Sequence, residues 1–210
     1  MSQAVFHYDI LDKQRRLLLP LFKKIKPDFY LAGGTGLALQ LGHRDSIDFD
    51  FFCQENFDTV RLYRTIQEIF VGFKIKKIQE EKNTLTIILD DKVKLSFFSY
   101  PYKLIKPLLS DKYLNVATVP DIAVMKFSAI VSRATNKDYI DLYFILQDYS
   151  LEQLLNFSKK KMPDLDINLI LKSLIYFKDV TKERIRFRTT PVSWQQVEDF
   201  IKQIVVKQKF

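Results

Sequence analysis

The chain reads as an α+β protein: a mixed β-sheet with flanking helices over about residues 1–115, followed by a helical half over about 116–210. Three observations predict this. A short apolar strand runs through Gly33-Gly34-Thr35 into a helix and then into a strand bearing Asp48-x-Asp50. Three β-rich runs follow, separated by polar turns. Beyond residue 116, apolar residues recur at helical spacing and capping signals replace the turns. No flexible linker divides the halves, so they are expected to pack closely.

The elements follow in order. Leu11, Leu18, Leu21, Phe22 and Ile25 recur near the helical period and predict a helix over 3–25, ended by Pro27. Phe29-Tyr30-Leu31-Ala32 is a buried strand, residues 35–41 a short helix, and Gly42 its stop. Ile47 to Phe52 alternates strictly, with Ile47, Phe49 and Phe51 on one face and Asp48 and Asp50 on the other. A helix over 58–70, capped by Asn56 or Asp58, leads to a meander of Phe73–Gln79, Thr84–Leu89 and Val93–Phe98. Pro120 suits the first turn of a helix to about Arg133, and Asn136 starts another to about Tyr149. Ser150 with Gln153, and Ser193 with Gln196, form capping boxes for helices from 151 and over 194–207; a further helix is expected over 166–177.

Composition narrows the chemistry. Cys53 is the only cysteine, and His7 and His43 are the only histidines. That excludes an intrachain disulfide and a Cys/His zinc cage, and a Ser-His-Asp hydrolase would have to use one of those two histidines. No apolar run approaches the ~20 residues of a membrane span, and the first 16 residues lack an apolar signal core, so a cytoplasmic protein without membrane contact is expected. The net charge of +8 and pI near 9.4 suit a polyanionic partner such as a nucleotide or nucleic acid. Residues 151–210 hold 12 Lys or Arg against 7 Asp or Glu, and Lys178, Lys182, Arg184, Arg186 and Arg188 form the densest basic stretch.

The segment from Phe29 to Phe52 carries the chemistry. Glycines at a strand-to-helix turn let backbone N–H groups approach an anion, and the helix N-terminus adds its positive end. Thr35 can cap that helix or bind a phosphate oxygen. Asp48 and Asp50 are two apart on a strand, so their carboxylates share a face at roughly 6–7 Å between Cα atoms. Two such carboxylates repel unless a cation lies between them, and hard oxygen ligands favour Mg²⁺ or Mn²⁺. Two other phosphate motifs are missing: there is no Gly-x-Gly-x-x-Gly and no Gly-Lys-Ser/Thr.

Gly-Gly-Thr followed by Asp-x-Asp resembles the nucleotidyltransferase superfamily of the DNA polymerase β type. The chain is more closely similar to the nucleotidyltransferase toxins of the AbiEii/AbiGii group. That likeness extends to His43-Arg44-Asp45-Ser46, to Val93-Lys94-Leu95-Ser96-Phe97-Phe98 with Tyr100-Pro101-Tyr102, to Asp121 through Lys126, and to Arg133 with Lys137 through Tyr143. It covers about residues 28–150. The resemblance implies a nucleotidyltransferase-like sheet and a metal-dependent transfer of a nucleoside monophosphate from an NTP to an acceptor, an RNA such as tRNA or a protein hydroxyl. It further implies a toxin with a possible cognate antitoxin. Gly33, Gly34 and Thr35 would hold the triphosphate, Asp48 and Asp50 the Mg²⁺ or Mn²⁺, and Lys126 a phosphate. Asp141 would complete the site, with Asp138 as the alternative. Polymerase-type relatives often add a third carboxylate from a later strand, where this chain has Ser96. That departure keeps open a non-catalytic nucleotide- or RNA-binding module of the same fold.

The remaining residues have plainer readings. Lys126 on an otherwise apolar helix either snorkels to water or points into a charged site. Asp138 and Asp141 share a helix face and could pair with Arg133 or Lys137. His43 and Arg44 suit the dipole at a helix C-terminus. Cys53 and the aromatics Phe97, Phe98, Tyr100 and Tyr102 read as core.

Overall fold

The structure, a computed structural model, describes residues 5–208. Its centre is a seven-stranded mixed sheet in the order β3-β4-β5-β2-β1-β7-β6. The strands are β1 (Tyr30–Ala32), β2 (Phe49–Cys53), β3 (Ile75–Glu81), β4 (Thr84–Leu89), β5 (Val93–Ser99), β6 (Leu109–Ser110) and β7 (Asn115–Val116). β2 runs antiparallel to β1 and parallel to β5, and β3, β4 and β5 form the antiparallel meander. The short pair β6 and β7 extends the sheet beyond β1 and has no counterpart in the sequence reading, because two-residue strands carry no alternation.

Alternation decides which face meets what. Phe49, Phe51, Leu95, Phe97, Leu85 and Ile87 are all buried and belong to one apolar cluster with helix α1 (Lys13–Phe22). There Phe22 packs edge-on against Phe49 and Phe51, with ring centroids 4.7 and 5.2 Å away. Asp50, Ser96 and Thr86 lie side by side across β2, β5 and β4 in register and alternate with that apolar set. The polar face is therefore the one left for chemistry.

The expected helix over 3–25 is broken. Residues 3 and 4 of it lie outside those described; Tyr8–Ile10 form a single 3-10 turn, and α1 starts only at Lys13. Asp12 causes the restart, accepting a hydrogen bond from the Arg15 backbone N–H at 2.8 Å. α1 then accommodates Pro20 and ends at Phe22, ahead of Pro27. α3 (Thr59–Ile69) is capped by Asp58, which accepts from the N–H groups of Val60 and Arg61, whereas Asn56 accepts from the Asn83 amide.

The second half is helical: α4 (Val119–Ser132), α5 (Asn136–Ile145), α6 (Leu151–Lys161), α7 (Ile167–Leu174) and α8 (Trp194–Val206). Both expected capping boxes form, at Ser150 with Gln153 and at Ser193 with Gln196. These helices share a second apolar cluster, in which Tyr139, Phe177 and Trp194 pack ring to ring. Tyr30, Ala32 and Leu37 from the sheet side belong to it, so β1 and helix α2 (Gly33–Leu41) bridge the two clusters. No described helix is long and apolar enough to cross a membrane.

Candidate active site

A cleft of about 750 Å³ opens between the polar sheet face and the helical half. Its walls come from the start of α2, the segment 44–50, the meander, α4, the α4–α5 turn and the irregular segment 183–186.

Helix α2 begins two residues earlier than expected, at Gly33. Gly33 has φ +62°, a region open to glycine, and a Cβ there would lie 2.8 Å from Asp50 Oδ2. The missing side chain is what lets the Asp50 carboxylate sit against the helix start. A Cβ on Gly34 would meet Arg44 Nη2 at 2.6 Å. The space beside Gly34 is thus filled by a guanidinium. Thr35 is buried; its hydroxyl donates to the Asp48 carbonyl and accepts from Ser46 Oγ at 2.8 Å. That hydroxyl positions the loop before Asp50. Gly34 and Thr35 line the cleft, while Gly33 backs it.

Asp48 and Asp50 both line the cleft. Ile47, expected inward on the strand, is 55% exposed, and β2 starts only at Phe49. The reason is Arg15, whose Nε donates to the Ile47 carbonyl at 2.6 Å and whose Nη2 donates to the Lys92 carbonyl. Asp48 therefore sits at the mouth of the strand and Asp50 within it. Burial raises the Asp50 carboxyl, Lys94 counters it, and the like charge of Asp48 raises it further. Lys94 Nζ lies 2.9 Å from Asp48 Oδ2. Ser96, the residue in place of a third acid, is buried beside Asp50 in strand register.

Lys126 is buried and lines the cleft, so it does not snorkel. Its Nζ lies 2.8 Å from Asp138 Oδ1 and 2.6 Å from Asp141 Oδ2. Burial would lower its pKa, but the two carboxylates outweigh this and raise it. Asp138 lines the cleft, accepts from Thr135 Oγ1 at 2.9 Å and has Arg133 Nε at 3.5 Å. Asp141 takes a different place from the one expected. It has no exposed surface, does not line the cleft, and sits behind Lys126 and Arg44. Arg44 Nε and Nη2 donate to its two oxygens at 2.7 and 2.8 Å, and His43 Nε2 lies 2.8 Å from Oδ1. Burial pushes the Asp141 carboxyl up, yet Arg44, Lys126 and the His43 hydrogen bond hold it well below the usual carboxylate range. His43 and Arg44 are thus buried partners of Asp141, a role that their position after a helix end did not reveal.

The helical half adds a wall that no sequence motif announced. Residues 181–188 are strapped to the α4–α5 turn and to the loop after α2. Thr181 N–H donates to the Ala134 carbonyl, Asn136 N–H to the Thr181 carbonyl, Asp45 N–H to the Arg186 carbonyl and Arg188 N–H to the His43 carbonyl. The turn itself holds Ala134 at φ +43°, a strained conformation for a residue with a Cβ. This path brings Arg184 and Arg186 to the cleft, where Arg186 Nε lies 3.3 Å from Asp45 and Arg184 makes no ion pair among the described residues. The basic stretch of the sequence was the available signal. Cys53 is buried in the sheet cluster, and burial pushes its thiol up to about 11.

The mixed sheet with its flanking helices is similar to that of solved nucleotidyltransferase toxins. MenT4, the nucleotidyltransferase toxin Rv2826c of Mycobacterium tuberculosis H37Rv, matches with a TM-score of 0.64 at 16% identity, over 93% of this chain and 82% of that one. JHP933 from Helicobacter pylori matches with a TM-score of 0.56 at 17% identity, over 93% and 92%. At such identities these likenesses show the fold. The family itself is shown by sequence: residues 17–199 match the nucleotidyl transferase AbiEii toxin family of type IV toxin–antitoxin systems, and the chain belongs to that family. A relative of 38% identity over 184 residues, covering 85% of this chain and 86% of its own, is the uncharacterized protein aq_aa25 of Aquifex aeolicus (strain VF5).

Proposed function

We propose that the chain transfers a nucleoside monophosphate from an NTP to an acceptor, with Asp48 and Asp50 holding Mg²⁺ or Mn²⁺. The observation that carries this reading is the convergence of both carboxylates, the α2 N-terminus and Lys126 on one cleft. The donor set fits such an ion. Among the described residues no group of three or more His, Cys, Asp or Glu could hold a metal. Two carboxylates beside substrate oxygens is the donor set Mg²⁺ accepts. Asp50, raised by burial and by Asp48, gains from a cation placed beside it.

The bound ions would supply activation of the acceptor hydroxyl and charge neutralisation at the leaving pyrophosphate. Lys126 offers a fixed positive charge to the phosphates. Asp141 and Arg44 act one layer behind, holding Lys126 and the start of α2 in place. Gly34 and Thr35 present the helix N-terminus to the triphosphate. Arg184, Arg186 and Lys137 face the outer part of the cleft and suit a polyanionic acceptor, so RNA is favoured over a protein hydroxyl. Residues up to about 115 and from about 116 form, in this reading, a catalytic α/β unit and a helical unit packed against it. The family's toxin–antitoxin assignment supports a cognate antitoxin as partner.

Ser96 favours one rival, an inactive nucleotide- or RNA-binding module. Incubation with each α-labelled NTP, Mg²⁺ or Mn²⁺, and total RNA or lysate separates them. Label in RNA is the expected outcome. Label in protein moves the acceptor, and binding of NTP with no label in any fraction establishes the rival.

A further inference from the structure

The two cleft lysines are held in opposite ways. Lys126 is buried, with two carboxylates on its ammonium. Lys94 is 43% exposed at its side chain, and Asp48 is its one ion-pair partner among the described residues. A buried, doubly paired ammonium is fixed. An exposed, singly paired one on a four-carbon stem is free to move, and such a pair contributes little, about 0–1 kcal/mol.

The location of Lys94 matters more than its mobility. β5 runs parallel to β2 with Asp50 opposite Ser96, so Lys94, two residues before Ser96 on the same face, falls beside Asp48. Its ammonium touches Asp48, one of the two carboxylates of the proposed metal site. A divalent ion on Asp48 would stand within a few ångströms of that ammonium, and like charges at that distance repel. The stem of Lys94 allows its Nζ to swing outward into the cleft, where the phosphates of a bound nucleotide would lie.

We propose that Lys94 is an exchangeable counter-ion: it pairs with Asp48 before the metal enters, competes with the metal for that carboxylate, and on displacement pairs with a phosphate of the nucleotide. The inference rests on the reading of Asp48 and Asp50 as the metal site. It makes metal and nucleotide binding mutually reinforcing, because nucleotide phosphate gives the displaced ammonium a new partner.

The test measures Mn²⁺ affinity without nucleotide, by electron paramagnetic resonance and calorimetry, on the full chain and on Lys94→Met and Lys94→Arg. Lys94→Met should bind Mn²⁺ about 3- to 5-fold tighter, the upper scale of one exposed ion pair removed. Lys94→Arg, which keeps the charge, should stay within about twofold of the parent. In the presence of Mn²⁺, Lys94→Met should bind a non-hydrolysable NTP about 3- to 5-fold more weakly. Its circular dichroism should match the parent, since the side chain is 43% exposed. Mn²⁺ affinity unchanged in Lys94→Met, with the parent binding Mn²⁺ and Asp50→Asn not, overturns the counter-ion role while leaving the metal site standing. No Mn²⁺ binding by parent or Lys94→Met overturns the metal site and the inference with it.

Discussion

Lys126 Nζ lies 2.6 Å from Asp141 Oδ2, and the cleft reaches the lysine but not the aspartate. The lysine faces the place where chemistry is proposed, and the aspartate anchors it from behind together with Arg44. Removing either charge leaves the other buried. Truncating one partner of a buried pair costs about 3–5 kcal/mol.

Lys126→Met removes the ammonium between Asp138 and Asp141, which keep Arg133 and Arg44 as their remaining cations, so it should lower stability along with turnover, the latter by roughly 10²–10³-fold. The double variant Lys126→Met with Asp138→Asn should recover part of the melting temperature and none of the turnover. Thermal melts beside single-turnover assays check it; recovered turnover would remove Lys126 from the phosphate site.

Asp141 also sets an acid limit. Its folded pKa is depressed, so its contribution is complete above the unfolded value of about 3.9 and is lost as pH falls through the lower folded value. Asp138 is depressed for the same class of reason, Lys126 outweighing burial. Asp141→Asn should therefore be less stable than the parent at pH 7 by about 3–5 kcal/mol, with the gap closing below pH 4. Urea titrations between pH 7 and 2.5 measure it. A gap that stays constant with pH would show that the carboxylate charge is not what stabilises.

Asp50 has the opposite sign. Its carboxyl is raised, so its ionisation costs stability from about pH 3.9 upward. Asp50→Asn should raise the metal-free melting temperature at pH 7, by about 2–4 °C for each kcal/mol recovered at this chain length. It should abolish transfer, as should Asp48→Ala. Mg²⁺ should stabilise the parent and leave Asp50→Asn unmoved; equal Mg²⁺ shifts in both would place the ion elsewhere.

Gly34→Ala puts a Cβ against the Arg44 guanidinium, whose two bonds to Asp141 resist displacement. Overpacking at such a contact costs about 1–3 kcal/mol. Nucleotide affinity should fall along with stability, because the start of α2 must shift. Calorimetry with a non-hydrolysable NTP and a melt on the same sample are the measurement, and unchanged affinity would move the triphosphate away from α2.

Arg184→Ala and Arg186→Ala should leave NTP affinity within about twofold and weaken binding of a polyanionic acceptor, with a smaller salt dependence. Filter binding of RNA across 50–200 mM salt checks the slope. An unchanged slope would exclude the segment from the acceptor path.

Several features were legible in the sequence because they are local. The meander is written in alternation and polar turns, and the capping boxes at Ser150 and Ser193 in residues three apart. The cleft face of β2 is written in Phe49, Asp50 and Phe51. The break before α1 was also written locally, in Asp12, but a continuous apolar period concealed it. By itself the sequence determined the α+β class, the family resemblance, and Asp48, Asp50 and Lys126 as the charged residues to watch. Only the tertiary structure decided what each charge does. Arg44 and Asp141 are 97 positions apart, and a two-residue strand pair or a strap such as 181–188 has no period to read. Whether a lysine is doubly paired and buried like Lys126 or singly paired and exposed like Lys94 depends on how many carboxylates reach its ammonium and how much water remains around it. Those quantities arise when distant segments are brought together, and the burial that accompanies it changes the cost of every unpaired charge.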